Sequence, residues 1–132
     1  MDDRKRAWIY CRIDAPEDMH GQLKGQRVEL ITYADQMRFE VVGESQDLGS
    51  GLQLDRNGLR KVTEAADAGE MDVLLVMNIT RIGRVMNQTV EFVHHLNKLG
   101  VKIYSPLSGE VTTIMPPEEL SAFLSGLHNG GR

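Results

Sequence analysis

A chain of 132 residues suits one domain with a single core that needs no covalent staple. With 41% hydrophobic and 26% charged residues it is ordinary for a globular domain, and a net charge of −4 argues against a free-standing, high-affinity DNA binder while leaving room for a local basic cleft. One cysteine, Cys11, excludes a disulfide framework and a cysteine-rich metal site; with no signal-peptide pattern and no run near the roughly 20 apolar residues of a membrane span, a cytoplasmic location is expected.

In chain order, the apolar run at residues 7–11 predicts a first strand. Leu23, Leu30, Ile31 and Ala34 then share one face of a helix, and residues 39–42 predict a second strand. Leu59, Val62, Thr63 and Ala66 follow the i, i+3, i+4, i+7 template of a second helix, with Asp55 placed as its N-cap. Residues 72–77 are almost continuously apolar, as a central strand buried on both faces requires. Thr89, Phe92, Val93 and Leu96 repeat the helical template before a stop at Gly100, and residues 101–104 predict a fourth strand. Residues 111–114 suit a short edge strand. From Pro116-Pro117-Glu118-Glu119 a last helix is expected, whose stripe of Leu120, Phe123, Leu124 and Leu127 either docks on the domain or meets a second subunit. The alternation predicts an α/β fold: an open sheet of four to five mostly parallel strands flanked by helices, in a single domain. Ligand chemistry is expected beyond the carboxyl ends of such strands, and Arg12, Asp47 and Arg81 are expected just there.

An arginine offers phosphate a planar fork of donors, so arginines gathered at strand ends suit a phosphate site; the competing reading is surface ion pairing. Other candidates are weaker. His94-His95 are adjacent on a helix, whereas a metal pair wants i, i+4 spacing. Gly49 and Gly51 lack the following Gly-Lys-Ser/Thr of a nucleotide loop. Asp14, Glu17, Asp18 and Asp47 are carboxylates that an arginine-rich neighbourhood disfavours as a cation site, so no metal and no cofactor is expected. Trp8 reads as core and Cys11 as a buried, inert thiol.

Several spaced motifs in one order carry a more specific signal. Tyr10-Cys11-Arg12-Ile13 leaves the first strand, Gln26 lies on the first helix, Asp47 precedes Ser50-Gly51, Arg56 precedes Leu59, and Thr80-Arg81-Ile82-Gly83-Arg84 follows the third strand. Over roughly residues 6–110 this resembles the catalytic domain of serine recombinases, the resolvase and invertase family that includes the large serine integrases. The resemblance implies a resolvase-like domain over residues 1–115; residues 116–132 read as a short helix and tail, where family members continue into a DNA-reading domain, and none is expected here. It also implies attack by a serine hydroxyl on a DNA phosphodiester, giving a 5′-phosphoserine link, with arginines stabilising charge on the phosphorus. Carried over residue by residue, Arg12, Arg56, Arg81 and Arg84 are phosphate-binding groups, with Arg12, Arg81 and Arg84 also in catalytic roles. Tyr10, Gln26, Asp47 and Ser50 are supporting groups.

Two positions depart from the family pattern. Asp14 stands where the serine nucleophile belongs, and Thr80 replaces the acid beside Arg81. A carboxylate repels an incoming phosphate, and the acyl phosphate it would form is labile to water. The expectation is a recombinase-like protein impaired in strand cleavage. It would bind DNA weakly through phosphates, or act as a homodimer or as the partner of an active recombinase. The alternatives are an active recombinase fragment with an unorthodox nucleophile, and a flavodoxin-like binder of a phosphate ligand.

Overall fold

The computed structural model describes residues 4–13, 20–49, 57–82 and 86–111. The last helix expected from residue 116 lies outside them, as do Asp55, Asp14, Ser50, Arg56 and Arg84. Among the described residues, five strands and three helices follow in order: β1 (Arg6–Ile13), α1 (Gln22–Gln36), β2 (Glu40–Leu48), α2 (Asn57–Asp67), β3 (Val73–Leu75), a 3-10 turn (Ile79–Arg81), α3 (Met86–Lys98), β4 (Lys102–Ser105) and β5 (Gly109–Val111). The sheet order is β2-β1-β3-β4-β5; the first four strands run parallel, and β5 returns antiparallel to β4. This is the predicted open, mostly parallel sheet.

Strand periodicity divides the core into two layers. Ala7, Ile9, Cys11 and Ile13 of β1 join Val73 and Leu75 of β3 under α1, which contributes Leu23, Leu30 and Ala34. Tyr10 and Leu74 face the opposite way, into a cluster with Leu59, Val62 and Ala66 of α2 and Val93 and Leu96 of α3. Val73, Leu74, Leu75 and Val76 are all fully buried, because both faces of a central parallel strand are covered by helices. The expected stop at Gly100 is a left-handed residue (φ 83°), after which the Val101 N–H returns to the Leu96 carbonyl at 2.9 Å.

Two expected boundaries and one expected placement are corrected. β2 runs to Leu48, six residues past the apolar segment at 39–42, and pairs with β1 along its length to Ile13↔Leu48. After a register shift between Ala7 and Trp8, backbone pairing carries the edge strand through the polar stretch Glu44-Ser45-Gln46-Asp47, which therefore needs no apolar residues. Arg12 and Asp47 therefore lie within their strands, as partners in register, and not beyond the strand ends. β5 begins at Gly109, two residues before the expected edge strand, because Gly109 (φ 69°) closes a tight hairpin in which the Ser108 N–H donates to Ser105 Oγ at 3.2 Å. Residues 112–114 are outside the described part.

On α1 the fourth buried position is Gln26, an amide on an otherwise apolar face, while Ile31 is only half-buried. At the open end of the sheet, Arg6 donates twice to the Asp72 carboxylate, at 3.1 Å each, and its backbone N–H adds a third bond at 2.8 Å. These bonds from Arg6 hold the Asp72 carboxyl below the usual carboxylate range and tie the start of β1 to the turn before β3.

α2 is pressed against β2. A Cβ added at Gly58 would sit 2.5 Å from the Gln46 carbonyl oxygen and 2.7 Å from Asp47 Oδ2, where backbone cannot easily give way. Gly58→Ala is expected to lose about 2 kcal/mol to this overpacking, against the ~1 kcal/mol that alanine gains over glycine inside a helix. The urea midpoint measures it, and an unchanged or raised midpoint would mean that α2 moves away from the sheet freely.

Candidate phosphate-binding site

The carboxyl ends of β1 and β2, the start of α2 and the 3-10 turn after β3 converge on one corner of the sheet. Asp47 organises its outer side. Its Oδ1 accepts from the Gly58 N–H at 2.9 Å, and its Oδ2 accepts from the Leu59 N–H at 2.9 Å and from the Tyr10 hydroxyl at 2.7 Å. The first amides of a helix have no partner within the helix, and here a strand residue ten positions upstream of α2 satisfies two of them. Tyr10 is fully buried, with its hydroxyl turned to that carboxylate.

Ser45, two residues earlier on the same face of β2, repeats the link one step further in. It accepts from Trp8 Nε1 at 3.0 Å and donates to the Gly58 carbonyl at 2.7 Å. The Trp8 ring lies across Gly43, whose added Cβ would meet it at 2.2 Å, so glycine is what lets the indole lie flat on β2. Trp8 is thus half-buried, packed on the α2 side of the sheet and fixed through its ring N–H. Nothing about Ser45, Gly43 or Gly58 stands out in the sequence. Their roles depend on α2 lying on β2.

Arg12 occupies the inner side and is the largest fully buried side chain among the described residues, at 0% exposure. Its Nε donates to the Arg81 carbonyl at 2.9 Å, one Nη to the Gly49 carbonyl at 2.9 Å and the other to the Thr80 carbonyl at 2.6 Å. A buried guanidinium is tolerated only when its donors are met, and these carbonyls meet three of them. Gln26 brackets the same residue from α1: its Oε1 accepts from the Arg12 N–H at 3.2 Å and its Nε2 donates to the Arg12 carbonyl at 3.0 Å. The carboxamide takes the place of a neighbouring strand, which explains an amide on the buried face of α1.

The 3-10 turn presents Thr80 and Arg81. Asn78 caps it, accepting from the Thr80 N–H at 3.1 Å and from the Thr80 hydroxyl. Arg81 is half-buried, and its Nε is out of reach of solvent with no hydrogen-bond partner among the described residues. A buried arginine N–H with no acceptor is rare, and this one lies in the turn that follows β3.

Three described hydroxyls at this corner are committed elsewhere. Tyr10 donates to Asp47, Ser45 to the Gly58 carbonyl and Thr80 to Asn78. Burial pushes the Cys11 thiol up to about 11, so it carries almost no thiolate near neutral pH. Of the expected site residues, the structure brings Tyr10, Arg12, Gln26, Asp47, Thr80 and Arg81 together. Asp14, Ser50, Arg56 and Arg84 lie outside the described residues. His94 and His95 are both exposed, His95 reaching Asp67 at 3.1 Å, far along the chain from this corner.

Compared with known proteins, residues 7–127 match the family described as Resolvase, N terminal domain. Among solved structures, the N-terminal catalytic domain of TP901-1 integrase is 23% identical, with 95% of each chain covered and a TM-score of 0.73. The C-terminal catalytic domain of ISC1926 TnpA, an IS607-like serine recombinase, is 27% identical over 92% of this chain and 79% of that one, with a TM-score of 0.71. A resolvase family site-specific recombinase from Streptococcus pneumoniae is 19% identical over 96% of this chain and 87% of that one, with a TM-score of 0.75.

Proposed function

The chain belongs to the resolvase N-terminal domain family, the catalytic-domain type of the serine recombinases, and from that premise we propose that it engages DNA phosphates without cutting the strand. In this reading Arg81, with Arg56 and Arg84, supplies the anion-binding half of a strand-transfer site. Asp14, next in sequence after the last residue of β1, replaces the attacking half. The protein then acts as an accessory to recombination, by weak phosphate-directed contact with DNA or by pairing with a second copy or an active recombinase.

The observation that carries the reading is the state of four described groups at the corner. With the Tyr10, Ser45 and Thr80 hydroxyls bonded and the Cys11 thiol held neutral, none of the four is poised to stand in for the serine hydroxyl. A carboxylate at position 14 offers a poor substitute. It meets a phosphodiester with like charge, and an acyl phosphate would hydrolyse before strands could exchange.

A nicked suicide duplex, which traps any covalent intermediate, tests the proposal. The expected result is salt-dependent binding with no covalent protein–DNA band, log K falling with log salt by about 0.9 for each phosphate neutralised. A covalent band would overturn the non-cleaving reading, and binding without salt dependence would overturn the phosphate-directed one.

A further inference from the structure

We propose that Asn78 is a positioning residue for Arg81: it takes the Thr80 and Arg81 amides onto its own side chain and carbonyl, and so sets the direction in which the Arg81 side chain leaves the turn. The inference rests on the phosphate-binding reading of Arg81 given above.

Three observations carry it. First, three donors from Thr80 and Arg81 converge on this one residue. Asn78 Oδ1 accepts from the Thr80 N–H at 3.1 Å and from the Thr80 hydroxyl, and the Asn78 carbonyl accepts from the Arg81 N–H at 3.1 Å. Asn78 itself is extended (φ −163°, ψ 170°), as an N-cap residue is, so the chain bends from strand into turn directly after it. Second, the segment that carries Arg81 is weak by itself. It is a single 3-10 turn of three residues, which is marginal in water. Its ends are tied down, Ile79 by packing on the core and Ile82 by full burial. Between them the Thr80 and Arg81 carbonyls accept from Arg12 on the inner side, and the amides of the same two residues donate to Asn78 on the outer side. Each residue is thus held at both its N–H and its C=O, and that fixes where its side chain points. Third, Asn78 and Thr80 are exposed, whereas Val73, Leu74, Leu75 and Val76 before them are fully buried. Loss of an exposed cap leaves that core packing in place, so its effect is local to the residues it orders.

The test is a double-mutant cycle in DNA binding, with the whole chain and a short duplex titrated over a series of salt concentrations. Arg81→Ala is expected to weaken binding about 10-fold and to flatten the slope of log K against log salt by about 0.9, the share of one phosphate contact. Asn78→Ala should weaken binding about 5-fold, because an uncapped turn is less often in the binding geometry, and should flatten the slope in the same direction. In the Arg81→Ala background, adding Asn78→Ala should cost less than about 1.5-fold, since the group it orders is gone. Asn78→Ser keeps a capping oxygen and should bind within about 2-fold of the unaltered chain. A loss from Asn78→Ala that persists in full without Arg81 overturns the proposal, because Asn78 would then meet the duplex itself. So does a folded Asn78→Ala protein with unaltered affinity and slope, which is what a purely structural cap gives. Failure of Asn78→Ser to restore binding removes the cap as the cause, and failure of Asn78→Ala to fold makes Asn78 a residue of the fold; each overturns the proposal. If Arg81→Ala binds like the unaltered chain, the phosphate-binding reading of Arg81 fails instead, and the positioning role goes with it.

Discussion

Asp47→Ala is expected to destabilise the domain by about 3 kcal/mol, the largest loss among single substitutions at the sheet corner outside Arg12. The carboxylate caps the Gly58 and Leu59 amides and accepts from Tyr10, three bonds to one charged group. Loss of a helix cap costs about 0.5–2 kcal/mol, and leaving the buried Tyr10 hydroxyl without its acceptor adds about 1–3 kcal/mol. For a chain of this length the melting temperature should fall by about 10 °C. Asp47→Asn, which keeps an acceptor oxygen but loses the charge, should fall between the two. Chemical denaturation of the three proteins measures the series. A loss below about 0.5 kcal/mol for the alanine variant would mean that α2 is held by its apolar face alone. The same result would also remove Asp47 as the reason β2 and α2 keep their spacing, which Gly58 makes possible.

The second expectation concerns chemistry. Restoring both family residues, Asp14→Ser with Thr80→Asp, should give a covalent protein–DNA link on a suicide duplex, at least ~100-fold above the level of the unaltered chain. The step is a displacement at phosphorus: the new Ser Oγ–P bond forms, the P–O3′ bond breaks, and the 3′-oxygen leaves as a hydroxyl after taking up a proton. The change at position 80 is structurally mild. Thr80 is exposed, its backbone N–H stays available to the Asn78 cap, and only the hydroxyl bond to Asn78 is lost. Adding Arg81→Ala to the restored protein should abolish the link. Persistence of the link there would place the charge-stabilising role elsewhere. If the doubly restored protein folds and binds duplex but forms no link, the site has lost more than its nucleophile.

Most of the architecture could be read from periodicity. Apolar runs marked β1, β3 and β4, and i, i+3, i+4 spacing marked α1, α2 and α3, because burial on one face imposes those periods. β2 was legible only in its first residues, since its outer half holds its place through backbone pairing and carries side chains bonded to α2 and β1. The β4–β5 hairpin was hidden because its turn depends on Gly109 at positive φ and on a Ser105 bond that ordinary loop residues conceal.

The site divides the same way. The family resemblance carried by the order of motifs named Tyr10, Arg12, Gln26, Asp47, Thr80 and Arg81 as one set, and set a carboxylate at position 14 where that family has a hydroxyl. What each does in the set depends on contacts between residues 11 to 69 positions apart: Asp47 with the start of α2, Gln26 with the backbone of β1, Arg12 with the carbonyls of two loops. A residue type states how many hydrogen bonds a side chain can make. Only the packed chain decides who receives them, because burial removes water as the default partner and leaves whichever groups the fold has brought within 3 Å. For that reason residue type marks Arg12 only as a fork of donors, and it is the packed chain that brings three of them to the carbonyls of Gly49, Thr80 and Arg81.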